Sequence, residues 1–148
     1  MDLLSVDLYP WAPPDGVKVL IFHLSPLVDP GSCRDERPND GPLPFIRVMR
    51  HKGADDGLVS QGRYSIFTFA STAQEAFNLG LTVQRRMQLL ASRFGGQYPI
   101  DLPSRRVYAD NVKILEGPEP VEYIQDAIPR KFYCYSLICQ VDFRYMAT

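Results

Sequence analysis

The sequence predicts an α+β domain in which helices pack on one face of a mainly antiparallel sheet. Three observations carry that expectation. The stretch FYCYSLICQVDFRY alternates strictly, residues 73–94 repeat apolar side chains at helical spacing, and an alternating stretch at 63–69 hands over to that helix across a few polar residues. Period-two alternation is what an antiparallel sheet with one buried face requires, whereas a 3.6-residue stripe marks a helix laid on a core. The 148 residues, 45% hydrophobic and 22% charged, suffice for one ordinary core, so a single domain over 1–148 is expected.

In PPDGVKVLIFHLSPLVDP, residues Val17, Leu20, Ile21 and Leu24 fall at helical offsets. Asp15 stands where an N-cap belongs, Pro13 and Pro14 precede it and Pro26 follows, so a short helix is expected there. The clustering of Val17, Val19, Leu20, Ile21 and Phe22 also permits a strand. Residues 29–43 are crowded with Pro, Gly, Asp and Asn and read as a long loop, which in a compact domain is a candidate for contacts.

PFIRVMR reads as a strand with Phe45, Arg47 and Met49 on one face and Ile46, Val48 and Arg50 on the other. HKGADDGLVSQG breaks it, giving a loop at 51–62 longer than a hairpin needs and so available to a partner. The strand at 63–69 sets Tyr64, Ile66 and Thr68 opposite Ser65, Phe67 and Phe69. A helix then starts at Ser71 or Thr72, since Ser71 with Gln74 and Thr72 with Glu75 both fit a capping box. Its apolar stripe runs through Ala73, Ala76, Phe77, Gly80, Val83, Met87, Leu90, Ala91 and Phe94, and Gly95 and Gly96 end it. The small residues Ala73, Ala76 and Gly80 let its backbone approach a sheet closely.

After a loop at 95–106 come two shorter strands, near 107–115 and 121–125, separated by EGPEP. The last strand places Tyr133, Tyr135, Leu137, Cys139, Val141, Phe143 and Tyr145 on one face and Cys134, Ser136, Ile138, Gln140, Asp142 and Arg144 on the other. At ~3.4 Å per residue it would run about 44 Å, against about 5 or 6 residues for an ordinary strand. It must either bend at a bulge or overhang its own globule, and an overhanging strand invites pairing with a neighbouring chain.

No catalytic constellation emerges. With 16 basic and 17 acidic residues the formal net charge is -1, which removes the electrostatic case for dedicated nucleic-acid or anionic-membrane binding. No apolar run approaches the roughly 20 residues of a spanning helix, and no charged segment precedes an apolar leader, so synthesis in the cytoplasm is expected. Cys33, Cys134 and Cys139 are odd in number and lack C-x-x-C spacing, which reads as buried reduced thiols. His23 lies between Phe22 and Leu24 as a helix histidine, and His51 opens a loop; two histidines without H-E-x-x-H spacing make no metal site. Asp55 and Asp56 read as turn chemistry, there is no G-x-S-x-G, and the glycines of RFGGQYP close a helix where a phosphate cradle would open one. No cofactor is expected.

The remaining features concern surfaces. Arg85 with Arg86, Arg105 with Arg106 and Arg130 with Lys131 form short basic pairs that are either solvated or set against acidic patches on a protein partner. Leu89 on the polar side of the long helix and Ile138 on the second face of the last strand are apolar residues the core does not explain.

The order of a short helix, LPFIRVMR, a connector, GRYSIFTFAST, the helix AQEAFNLGLTVQRRMQLL and a closing strand ending CQVDFRY resembles the tail terminator (tail-completion) proteins of long-tailed bacteriophages, especially those of phages of actinobacteria. The likeness spans residues 13–145. It implies a non-enzymatic virion protein at the head–tail junction, forming a homo-oligomeric ring, commonly a hexamer. Such a ring caps the tail tube, stops its growth, meets the head-completion complex and leaves a path for DNA. Asp55, Asp56, Leu58, Arg85, Arg86, Leu89, Arg130 and Lys131 are the residues expected to meet partners. A head-closure or stopper connector, and more remotely a small α+β enzyme or ligand-binding protein, are the alternatives.

Overall fold

A computed structural model describes residues 14–38, 41–56, 59–91, 99–103, 105–121 and 132–145. Helix α1 (Gly16–Leu24) forms where the helical spacing of Val17, Leu20, Ile21 and Leu24 places it. The Asp15 carboxylate accepts the Val17 and Lys18 amides at 3.1 and 3.4 Å, satisfying two donors that the first turn leaves open. A single 3-10 turn, Ser25–Leu27, follows with Pro26 near its start.

The loop expected at 29–43 contains a two-residue strand, β1 (Cys33–Arg34), paired in parallel with Ile46 and Arg47 of β2 (Phe45–Asp56). Gly31 makes this possible by adopting a φ of 82°, after which the Ser32 carbonyl accepts the Ile46 amide at 2.8 Å. The loop expected at 51–62 is likewise corrected. Strand β2 runs on to Asp56, and β3 (Val59–Ala70) begins only three residues later. The register is interrupted between Arg50 and Lys52 and then resumes through Gly53↔Gly62 to Asp56↔Val59. Backbone pairing needs no apolar side chains, so glycines and a bulge hid a continuous hairpin.

Helix α2 (Ala73–Leu89) starts at Thr72, whose hydroxyl accepts the Glu75 amide at 3.1 Å. The Glu75 carboxylate in turn accepts the Ser71 hydroxyl at 3.3 Å, while Gln74, the partner expected for Ser71, donates to Asn78 at 2.9 Å, so Thr72 is the cap. Ala76, Gly80, Val83 and Met87 are its buried residues, while Ala73 is exposed at its first position. The helix ends at Leu89, and Phe94, Gly95 and Gly96 lie outside the described residues. Close approach to the sheet is real at Gly80: a Cβ there would stand 3.0 Å from Pro118 Cβ and 3.5 Å from the Thr68 hydroxyl. That hydroxyl donates to the Ala76 carbonyl at 2.9 Å, tying strand to helix.

The expected loop at 95–106 carries the short strand β4 (Pro99–Asp101). The two strands expected near 107–115 and 121–125 are one, β5 (Arg106–Val121), with residues beyond 121 outside the described set until 132. Its register slips between Asp110 and Lys113, Ile114 and Glu116, and Glu116 and Glu119, which absorbs Gly117 and Pro118 without ending the strand. Strand β6 (Tyr133–Tyr145) completes a sheet of order β1-β2-β3-β6-β5-β4, antiparallel except at β1. The overhang expected of β6 is overturned. It lies in the middle of the sheet and pairs with β3 from Val59↔Arg144 to Ala70↔Tyr133, with β5 on its other side.

Both helices cover one face. Leu20 and Leu24 of α1 and Val83 and Met87 of α2 join Ile46, Val48, Tyr64, Ile66, Leu137, Cys139, Val141 and Phe143 in one buried cluster. Each Leu or Phe withdrawn in this way contributes about 1.5–3 kcal/mol. On the opposite face a smaller cluster of Phe45, Phe69 and Cys134 is packed by Leu43, Phe67, Val121 and Phe132. The Arg37 guanidinium closes it, 5.3 Å from the Phe69 ring centre and 4.9 Å from that of Phe132.

Candidate functional site

The C-terminal end of α1, the last turns of α2 and strand β4 enclose an open cleft of about 640 Å³. Two reciprocal hydrogen bonds hold the helices together at its back. The His23 Nε2 proton donates to the Arg86 carbonyl at 2.9 Å, and Arg86 Nε donates to the His23 carbonyl at 3.1 Å. A carbonyl only accepts, so the His23 proton is fixed on Nε2. Burial pushes the His23 imidazole below its ordinary value of 6.5; the bond to the Arg86 carbonyl opposes the drop and the Arg86 charge adds to it. His23 is therefore a neutral clamp at neutral pH.

The floor and walls are apolar: Phe22, Pro26, Val28, Pro30, Pro99 and Ile100. Phe22 keeps 43% of its surface exposed here while Ile100 is buried. Among the described lining residues Asp101 is the acidic group, and Arg106 Nε bonds its carboxylate, lifting the Arg106 pKa further. Arg86 is half-buried at the rim. This arrangement can hold an apolar group and present it with a fixed cation.

Of the residues the sequence nominates for partner contact, Arg85, Arg86 and Leu89 come together on the final turns of α2. Arg85 is exposed, Leu89 is 48% exposed, and Arg86 lines the cleft. Asp55 and Asp56 lie at the far end of β2, paired with Ser60 and Val59. That hairpin end, the Arg144 end of β6 and the β4–β5 turn occupy the same end of the sheet, because Val59 pairs with Arg144 and Val107 with Tyr145. Leu58, Arg130 and Lys131 lie outside the described residues. Sequence reasoning assigned Phe22, Pro26 and Asp101 no site role; the available signal was Pro26 and Pro30 four positions apart, and spacing alone does not bring them to Pro99 of β4.

The sheet margins form the second candidate surface. Strand β1 covers only Ile46 and Arg47 of β2, and β4 covers only Arg106 to Tyr108 of β5. Among the described residues no strand pairs with the outer side of β2 beyond Arg47 or of β5 beyond Tyr108. The two margins differ: β5 carries bulges, Pro118 and Pro120, whereas β2 carries one interruption near His51.

Reactive chemistry is not gathered at either place. Burial pushes the Cys33 thiol up to about 11 and that of Cys139 to about 12, so both stay protonated at neutral pH. Among the described residues no three His, Cys, Asp or Glu side chains are grouped to hold a metal ion, and no helix is long and apolar enough to cross a membrane. No family model matches this chain, and no curated protein matches it.

Proposed function

We propose that this chain is a non-enzymatic virion structural protein that forms a ring on the tail tube of a long-tailed bacteriophage, ends its polymerisation and joins it to the head-completion complex. The observation that carries this reading is the pair of unlike margins on one sheet, β2 on one side and β5 on the other, that no strand covers among the described residues. A margin that meets a different margin on the next copy makes a heterologous contact, and heterologous contacts generate rings when the rotation closes. Exposed main-chain donors and acceptors along such margins favour pairing with another polypeptide. The element order that resembles the tail terminators supports the choice of ring. The hairpin end at Asp55 and Asp56 and the surface of Arg85 and Leu89 then serve as contacts to tube or head proteins.

Light scattering or mass photometry at high concentration, with and without the major tail tube protein, tests the reading. A closed oligomer several times the monomer mass that caps isolated tubes is the expected result. Persistent monomer in both conditions, with tubes left uncapped, overturns it. Binding to portal-containing heads in place of tubes would move the same ring to a head-closure role.

A further inference from the structure

We propose that the cleft between α1, α2 and β4 is a docking site for a segment of a partner protein that sets an aromatic or branched apolar side chain beside a carboxylate. Three features on the cleft itself point there. Its volume, about 640 Å³, lies in the range that accepts a ligand-sized group, and its apolar lining leaves Phe22 43% exposed at the floor. Proline at three positions of the wall makes the surface stiff, so little ordering is lost when a guest enters.

The second feature is the cation at the rim. Arg86 Nε is committed to the His23 carbonyl, which holds the planar guanidinium in place, while among the described residues its terminal nitrogens meet no carboxylate. A guanidinium fixed at one edge presents its other donors as a fork that matches a carboxylate. The third feature is charge balance. Among the described lining residues Asp101 is the acid, and Arg106 already engages it, so it does not neutralise Arg86. With His23 uncharged and Asp101 engaged by Arg106, Arg86 is, among the described lining residues, the cation left to meet an acidic guest. The proposal does not depend on ring formation, because every group named belongs to a single copy.

The full chain, labelled with ¹⁵N, is titrated with the peptide acetyl-Gly-Phe-Asp-Gly-amide and with its Asn counterpart, and amide shifts are followed. Shifts are expected at Phe22, His23 and Ile100, with the Asp peptide binding about tenfold tighter than the Asn peptide, as a charge-assisted hydrogen bond supplies. Arg86→Gln should bring the two peptides to equal affinity, and Arg86→Lys should retain part of the preference. Because Arg86→Gln also removes a bond to α1, the exposed substitution Phe22→Ser provides an independent arm and should weaken both peptides alike. Equal affinity of the Asp and Asn peptides for the unaltered chain overturns the proposal, as do shifts confined elsewhere or no shift at all. Binding of free N-acetylphenylalanine without binding of either peptide would make the cleft a small-molecule site and likewise overturn it. A monomer that binds the Asp peptide through Arg86 would leave the cleft intact even if the capping role failed.

Discussion

Tyr64 is fully buried, and the first residue of α1 rests against its ring: a Cβ on Gly16 would fall 1.7 Å from the Tyr64 hydroxyl and 2.6 Å from the ring carbon bearing it. Gly16 is thus required by close approach. Gly16→Ala should lose about 1–3 kcal/mol in urea denaturation, the usual range for overpacking. Tyr64→Phe removes the nearest atom, so the double variant should be less destabilised than the sum of the two single changes. His23 yields a pH dependence of definite sign. Its folded pKa lies below the ordinary 6.5, so the unfolded chain takes up the proton first as pH falls. The stabilisation is whole above that value and is lost as pH drops toward the lowered one. The urea midpoint should therefore fall between about pH 7.5 and about pH 5.5, and His23→Gln should show a smaller fall over that interval. An equal fall in both proteins would remove His23 from the clamp.

Among the elements, α2 depends on Gly80 for its distance from β5. Alanine there gains helix propensity but stands 3.0 Å from Pro118 Cβ, so Gly80→Ala should change stability little. Gly80→Val adds two methyl groups against the same proline and should lower stability by about 1–3 kcal/mol, read as an earlier thermal midpoint. These elements also mark how far the sequence could be read. Helix α2, the long strand β6 and the alternation of β3 were legible because each buries a repeating face. Strands β1 and β4, two and three residues long, offer no period to detect. The extension of the β2–β3 hairpin was hidden by Gly53 opposite Gly62 and by the break beside His51. Strand β5 was divided in reading because Pro118 and Pro120 signal a stop, whereas here bulges carry the strand past them. An earlier slip in the same strand, between Asp110 and Lys113, places Asn111 at a φ of 53°, where its amide donates to Asp142 at 3.0 Å.

At the scale of the whole molecule, the surface of α2 is where charge should affect assembly without affecting the fold. Arg85 is exposed, and Arg85→Glu should leave stability within about 0.5 kcal/mol of the parent, as surface changes generally do. If Arg85 faces a partner, the same change should slow or abolish capping of tail tubes in a length assay by electron microscopy. Unaltered capping would take it off the interface. The α+β layering was legible from periodicity, but the cleft was not: Phe22, Arg86 and Ile100 are far apart in sequence and become neighbours only when both helices lie on one face of the sheet. Arg86 was singled out for its charge, while the apolar side of the same cleft carried no local mark.

Strand β6 follows every other described strand in the chain and is inserted between β3 and β5. On the ribosome, the β2–β3 hairpin and β5 must therefore wait as separate halves until residues 133–145 have left the exit tunnel. The nascent chain holds its Ile66 and Val107 faces open until then, which makes it a natural client for chaperones. Completion of the sheet waits for residues 133–145, so a chain cut short before them yields no miniature of this fold that could compete with the finished protein.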